Sequence, residues 1–87
     1  MAAKPVEIYT TPFCPYCLRA KHLLKRKGIG FTEYDVSFDA PKRAEMMQRA
    51  QGRRTVPQIF IGGEGIGGCD ELHALERAGR LDGMLAA

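Results

Sequence analysis

The sequence predicts an α/β fold in which a four-stranded mixed sheet is flanked by helices. Strand-like apolar runs alternate with stretches of helical periodicity, which gives the order β-α-β-α-β-β-α. A helix joins the first two strands, so we expect them to be parallel with a right-handed crossover. A glycine-rich turn joins the last two strands, which predicts an antiparallel hairpin. We expect the 87 residues to form one domain, residues 1–87, because so short a chain supports one core.

The first strand is predicted over residues 6–9, and the helix that follows it begins near Cys14. Pro15 suits the first helical turn, where the N–H that proline lacks would be unpaired anyway, and Gly28 is typical of a residue that ends a helix. The residues expected on the inward face of this helix are Leu18, Ala20, Leu23 and Leu24.

The second strand–helix unit begins with a strand predicted over residues 31–36, in which alternate side chains face opposite sides of the sheet. Asp39 is expected to cap the second helix, which runs to about Ala50 and ends at Gly52.

The last third of the chain is predicted to contain a hairpin and a helix. Residues 56–61 are the most β-like run, and residues 62–64 form a turn before a short fourth strand near 65–67. Asp70 is expected to cap a third helix over residues 71–78, and a final turn follows near residues 81–85.

Composition indicates a soluble globular protein that acts in the cytoplasm. The first five residues lack the apolar segment of a signal peptide, and no stretch is apolar and long enough to span a bilayer, so we expect no membrane association. The formal charge of +3 is modest, and the basic segments lack interleaved aromatics, which disfavours nucleic acid as a partner. A small anionic substrate fits this charge better.

Cys14 and Cys17 lie three positions apart at the predicted start of the first helix. The positive end of a helix favours a thiolate at Cys14, and Cys17 follows one turn later on nearly the same face, within reach for a disulfide. The pattern predicts a redox dithiol in which Cys17 remains a thiol until it resolves a mixed disulfide. Three cysteines are too few, and odd in number, for a disulfide scaffold.

Zinc binding is an alternative interpretation of the same cysteines. A structural zinc site usually takes four ligands from two paired clusters, whereas this chain offers one pair with Cys69, His22 and His73. Both histidines are expected at the surface, so we predict no metal site.

Two further segments have features that suit a ligand. The bond before Pro57 would be trans on general preference, whereas a cis bond would leave the backbone N–H and C=O of Val56 free to pair with an extended peptide. Residues 67–70 place small side chains and free N–H groups at a helix start, which suits a carboxylate. The G-x-G-x-x-G match over residues 63–68 is rejected as a dinucleotide site, because too few residues follow it for another βαβ unit.

Three segments together resemble the dithiol glutaredoxins of the small bacterial type, and the resemblance covers essentially the whole chain. The segments are Cys14-Pro15-Tyr16-Cys17, Thr55-Val56-Pro57 and Gly67-Gly68-Cys69-Asp70. The resemblance implies a thioredoxin-like fold, a cis bond before Pro57, glutathione as co-substrate and no permanently bound cofactor. It also implies a monomer that acts on glutathionylated or disulfide-containing proteins.

By the same resemblance, Cys14 is the nucleophile and Cys17 the resolving cysteine. The residues that match glutathione-binding positions are Tyr16, Thr55, Val56, Pro57, Gly68, Cys69 and Asp70. Val56 would pair with the cysteinyl backbone of glutathione, and Cys69 and Asp70 would hold its γ-glutamyl end. Cys69 itself is expected to be a buried small residue, the alternative being a redox-sensitive thiol.

One position departs from the family pattern. Thr11 stands where many relatives carry a lysine associated with the glycyl carboxylate of glutathione, and Arg53 is the candidate substitute. The predicted activity is a glutathione-dependent thiol–disulfide oxidoreductase. The alternatives are reduction by thioredoxin reductase and a dimer that bridges an iron–sulfur cluster through Cys14, which Pro15 disfavours because a proline there tends to hinder cluster assembly in related proteins.

Overall fold

The computed structural model describes residues 4–86, and the predicted order of elements is confirmed, with one further short helix at the end. The elements are β1 Val6–Thr10, α1 Pro15–Arg26, β2 Thr32–Asp35, α2 Ala40–Arg49, β3 Gln58–Ile61, β4 Glu64–Gly67, α3 Cys69–Arg77 and α4 Leu81–Leu85. No helix within these residues is both long and apolar enough to cross a membrane.

The four strands form one mixed sheet in the order β2-β1-β3-β4. β1 is parallel to β2 and β3 is antiparallel to β4, as the connections predicted. β1 also pairs with β3, in the antiparallel direction. The register pairs Thr10 with Asp35 and Ile59 with Gly67. β1 and β2 therefore end, β3 begins and β4 ends along one side of the sheet, which we call the carboxyl edge.

Helices cover both faces of the sheet. One face packs on α1, α3 and α4 through a core that includes Ile8, Leu24, Ile59 and Leu72. The other face lies under α2, with a smaller core of Tyr9, Val36, Met46 and Phe60. The sheet is thereby held between two apolar layers, which fixes the loops of the carboxyl edge relative to one another.

The predicted inward face of α1 is wrong at Leu18, whose side chain is 59% exposed. Ala20, Leu23 and Leu24 are buried as predicted, and Cys17 is the other buried residue of the helix. Positions 17, 20 and 24 follow the spacing of one helical face, whereas position 18 is rotated about 100° from 17.

Other element boundaries differ from prediction by one to three residues. Asp39 caps α2 as predicted, since its carboxylate accepts the Lys42 N–H at 3.0 Å. β3 begins at Gln58 instead of residue 56, because Pro57 has no N–H to give to the ladder. α3 is capped by Gly68 instead of Asp70, which lies in the first turn.

A polar network joins α2 to the sheet around Arg49. The guanidinium donates to Glu7 at 2.8 Å and to the Tyr9 hydroxyl at 2.7 Å, and that hydroxyl donates to Glu45 at 2.5 Å. Burial, together with the Glu45 bond, raises the pKa of Tyr9 to about 12. The bond from Arg49 lowers the pKa of Glu7, and the bond from Tyr9 lowers the pKa of Glu45.

Glu7→Gln is expected to lower the free energy of unfolding by about 1 kcal/mol at pH 7, since it removes the charge of a partly screened pair. The lowered pKa of Glu7 means that its contribution is present above its ordinary value, 4.5, and is lost as pH falls through the folded-state value. Urea unfolding at pH 7 and pH 3.5 should therefore show a smaller acid loss in Glu7→Gln than in wild type. Glu64→Gln is the control, because Glu64 is exposed and makes no salt bridge within residues 4–86. An equal decrease in the free energy of unfolding between pH 7 and pH 3.5 in wild type and Glu7→Gln would contradict this prediction.

Candidate active site

Cys14 is the N-cap of α1, at the carboxyl edge directly after β1. Its backbone is extended, with φ −99° and ψ 109°, and its Sγ accepts the Cys17 N–H at 3.2 Å. Pro15 occupies the first turn as predicted. The helix start therefore supplies this N–H and the positive end of the dipole to Cys14, a partly exposed residue.

Cys17 lies one turn further along α1 and is only 1% exposed. Burial, reinforced by the nearby Cys14 sulfur, raises the pKa of Cys17 to about 12. Both cysteines are free thiols. Cys17 is therefore protonated at neutral pH, and Cys14 is the thiol of the pair that solvent reaches.

The segment before β3 lies beside Cys14. The Val56–Pro57 bond is cis, as the family resemblance implied, and the Val56 carbonyl oxygen is 3.9 Å from Cys14 Sγ. Gln58 donates to the Thr55 carbonyl at 2.9 Å and to the Thr55 hydroxyl at 3.1 Å, which anchors the segment. No hydrogen bond from the Val56 N–H is formed within residues 4–86, so this edge is open to an extended ligand.

A cleft of about 170 Å³ lies on the β3 and β4 side of Cys14. It is lined by all seven predicted glutathione-binding residues, Tyr16, Thr55, Val56, Pro57, Gly68, Cys69 and Asp70, together with Arg53 and Glu71. A larger concavity of about 440 Å³ adjoins it through Arg53, between the end of α2 and the β3–β4 hairpin, but contains none of the cysteines. The fold thus brings the three separated motifs to one place, although their contact with glutathione stays a prediction.

Glu71 is a cleft residue that the sequence analysis missed. Its Oε1 accepts the Gly68 N–H at 2.5 Å and lies 3.5 Å from Arg53 Nη2. The bond from Gly68 lowers the pKa of Glu71. The spacing of a capping box, with an acidic residue three positions after the cap, was the signal that could have identified it.

Gly67 allows this arrangement. Its φ is +106°, and a Cβ at this position would lie 2.6 Å from Glu71 Oε1 and 2.9 Å from an Arg53 nitrogen. Any side chain here would displace the carboxylate and guanidinium that line the cleft, so residue 67 is restricted to glycine.

Cys69 is buried at the start of α3, as its interpretation as a small core residue predicted, and burial raises its pKa. His22 is exposed as expected, whereas the surface position predicted for His73 is confirmed only in part, because part of this residue is buried. His73 is half-buried, with Nδ1 2.9 Å from the Cys69 carbonyl oxygen and 3.4 Å from Cys69 Sγ. The i, i+4 spacing on α3 brings these two residues together.

Comparisons with known proteins identify the family. The glutaredoxin family model matches residues 6–66. A glutaredoxin of Pseudomonas aeruginosa is 58% identical over 83 residues, which cover 95% of this chain and 98% of that protein. Glutaredoxin 3 of Escherichia coli is 56% identical over 80 residues, which cover 92% of this chain and 95% of that protein.

Solved structures agree with the sequence comparisons. The solution structure of a glutaredoxin from Brucella melitensis has a TM-score of 0.84 and 55% identity, and the match covers 98% of this chain and 91% of that one. A crystal structure of a buckwheat glutaredoxin–glutathione complex has a TM-score of 0.84 and 34% identity, covering 94% of this chain and 76% of that one. The fold is thioredoxin-like, as expected. The chain belongs to the glutaredoxin family, because the family model and these relatives match it and the Cys14/Cys17 pair lies at the start of α1.

Proposed function

We propose that this protein is a glutathione-dependent thiol–disulfide oxidoreductase in which Cys14 is the nucleophile and Cys17 the resolving thiol. The observation that carries the proposal is the partly exposed Cys14 at the start of α1, next to a cleft lined by the residues predicted to bind glutathione. The family supports it, and a related buckwheat glutaredoxin is described in complex with glutathione. Three free thiols are consistent with a reducing compartment such as the cytoplasm.

With a glutathionylated protein, the Cys14 thiolate attacks the glutathione sulfur. A Cys14–glutathione disulfide forms, and the protein thiolate leaves and takes up a proton. A second glutathione thiolate then attacks the glutathione sulfur of this mixed disulfide, which releases the Cys14 thiolate and oxidised glutathione.

With a protein disulfide, Cys14 instead bonds one substrate sulfur and releases the other. Cys17 loses its proton as it attacks Cys14 Sγ, which gives a Cys14–Cys17 disulfide and frees the substrate thiol. Two glutathione molecules reduce that disulfide in turn. The raised pKa of Cys17 fits an attack by Cys14 first and by Cys17 second. Cys17 is protonated at neutral pH, so it does not compete with Cys14 for the substrate disulfide.

The cleft supports a specific glutathione orientation. The Val56 N–H, which makes no hydrogen bond within residues 4–86, suits pairing with the cysteinyl unit in a short antiparallel ladder. The start of α3 offers N–H groups to the γ-glutamyl carboxylate, and the exposed Asp70 carboxylate suits the adjacent ammonium. Arg53, half-exposed and also part of the lining, suits the glycyl carboxylate.

The decisive measurement is turnover of a small glutathione mixed disulfide with glutathione and glutathione reductase as the recycling system. We expect sustained turnover by the purified protein. Turnover only with thioredoxin reductase would contradict the proposal and favour the alternative reductant. A brown dimer with acid-labile sulfide and no turnover would favour the cluster-bridging alternative.

Arg53→Ala is expected to raise KM for the mixed disulfide about three- to fivefold and to leave kcat nearly unchanged, because it removes one solvent-screened ion pair with the glycyl carboxylate. Steady-state kinetics below 0.1 M salt would measure the effect. Arg54→Ala is the matched control, since Arg54 is exposed and does not line the cleft. Equal KM values for Arg53→Ala and Arg54→Ala would contradict the role given to Arg53.

A further inference from the structure

Phe13, which directly precedes Cys14, has an exposed ring and an unusual backbone. Its side chain is 98% exposed, and its φ of +63° lies in the left-handed region that bulky residues rarely adopt. A ring so exposed buries almost no apolar surface, so packing within the described residues does not offset this conformation. Phe13 therefore combines an exposed ring with a strained backbone, directly before the nucleophile. These two unfavourable features point to a role in binding instead of in folding.

Phe38 is the second such residue, with a side chain 99% exposed in the loop after β2. The Val36 N–H donates to the Thr10 carbonyl at 2.9 Å, which holds the bases of the β1 and β2 loops together at the carboxyl edge. Asp35 accepts from the Ser37 N–H at 2.9 Å and from its hydroxyl at 2.6 Å, which fixes the start of the Phe38 loop. Both aromatic rings are thus carried by neighbouring, anchored loops.

The strand order places the Phe38 loop and the cleft on opposite sides of the loop that carries Phe13 and Cys14. Along the carboxyl edge, the β2 loop with Phe38 is followed by the β1 loop with Phe13 and Cys14, and then by the starts of β3 and α3 that line the cleft. The polar, charged lining therefore lies on one flank of the Cys14 loop, the Phe38 loop lies on the other, and Phe13 directly precedes Cys14 between them.

We propose that Phe13 and Phe38 form a docking surface for the polypeptide part of the substrate, with preference for an apolar residue next to the substrate cysteine. This rests on the proposed function. When Cys14 is disulfide-bonded to a substrate cysteine, the residue beside that cysteine is one Cα spacing, about 3.8 Å, from it, and Phe13 is at the same spacing from Cys14. The covalent bond therefore holds the two neighbours in the same region, where two apolar side chains in contact exclude water.

The test compares three oxidants of the reduced protein: glutathione disulfide and two symmetrical peptide disulfides that differ only in leucine or serine beside the cysteine. Rates are followed by quenching with an alkylating agent and mass spectrometry, which suits a chain without tryptophan. We expect wild type to react about tenfold faster with the leucine peptide than with the serine peptide, the gain that burial of one large apolar side chain allows.

Phe13→Asn is the main variant, because asparagine tolerates a positive φ. It is expected to lose most of the tenfold preference, and Phe38→Ser part of it, while both react with glutathione disulfide at the wild-type rate. Phe13→Leu, which keeps an apolar side chain, should retain the preference. The melting temperature of Phe13→Asn should equal or exceed that of wild type.

Equal wild-type rates with the two peptides would overturn the docking surface, and so would an unchanged preference in both phenylalanine variants. The docking surface would also be overturned if Phe13→Asn slowed the reaction with glutathione disulfide as much as the reaction with the leucine peptide. That result would show that Phe13 acts through Cys14. Failure of wild type to react with glutathione disulfide would instead contradict the proposed function, so the two failures are distinguishable.

Discussion

Replacing Cys14 by serine is expected to lower the rate of glutathione-dependent reduction more than about a thousandfold, for mixed disulfides and protein disulfides alike. A serine hydroxyl stays protonated at neutral pH and forms no disulfide, so the first bond of either reaction cannot be made. The measurement is turnover of a small glutathione mixed disulfide and of a protein disulfide.

Cys17→Ser provides the control. It is expected to retain mixed-disulfide turnover, because that cycle needs only Cys14, and to lose reduction of protein disulfides that require a resolving thiol. Because residue 17 is only 1% exposed, the buried hydroxyl needs a partner, and the melting temperature must be checked. Equal loss of mixed-disulfide turnover in folded Cys14→Ser and Cys17→Ser would contradict the division of roles.

The fold was predictable because its signals are local. Pro15, Asp39 and the glycines of the hairpin mark where elements begin and turn, and the connection lengths determine which strands are parallel. Errors arose where two local signals competed. Leu18 is more apolar than its neighbours, but the buried face of α1 is the one that carries residues 17, 20 and 24.

The site was predictable only in part, because its residues are far apart in the chain. The dithiol at a helix start follows from spacing, but the approach of Val56 to Cys14 spans 42 positions and was anticipated through the family resemblance. The pairing of Arg53 with Glu71 depends on the conformations of two loops and two long side chains. Neither spacing nor composition fixes those conformations. Arg53 was a candidate from the sequence, but the structure was needed to place Glu71 in the cleft and to pair it with Arg53.

Phe60→Ala is expected to lower the free energy of unfolding by about 3–5 kcal/mol, the cost of removing a buried aromatic side chain and leaving a cavity. The ring is 1% exposed and meets Tyr9 edge-on at 5.6 Å between centroids, with the Arg49 guanidinium 4.1 Å from its centroid. A Cβ on Gly65 would come within 3.1 Å of the ring, so the backbone of β4 also packs tightly on it. Urea unfolding at pH 7 measures the loss.

A domain of this length has a total stability of roughly 4–13 kcal/mol, so Phe60→Ala removes a large share of it. Phe60→Leu is the control. Because leucine fills most of the volume of the ring, this variant should lower the free energy of unfolding by less than about 2 kcal/mol. A loss below 2 kcal/mol in Phe60→Ala would contradict the packing argument. Phe60 belongs to the core under α2, whereas Cys17 and Cys69 belong to elements on the other face of the sheet. Activity per folded molecule should therefore match wild type in both variants when measured well below their melting temperatures, because the carboxyl edge is still held by the core of α1, α3 and α4.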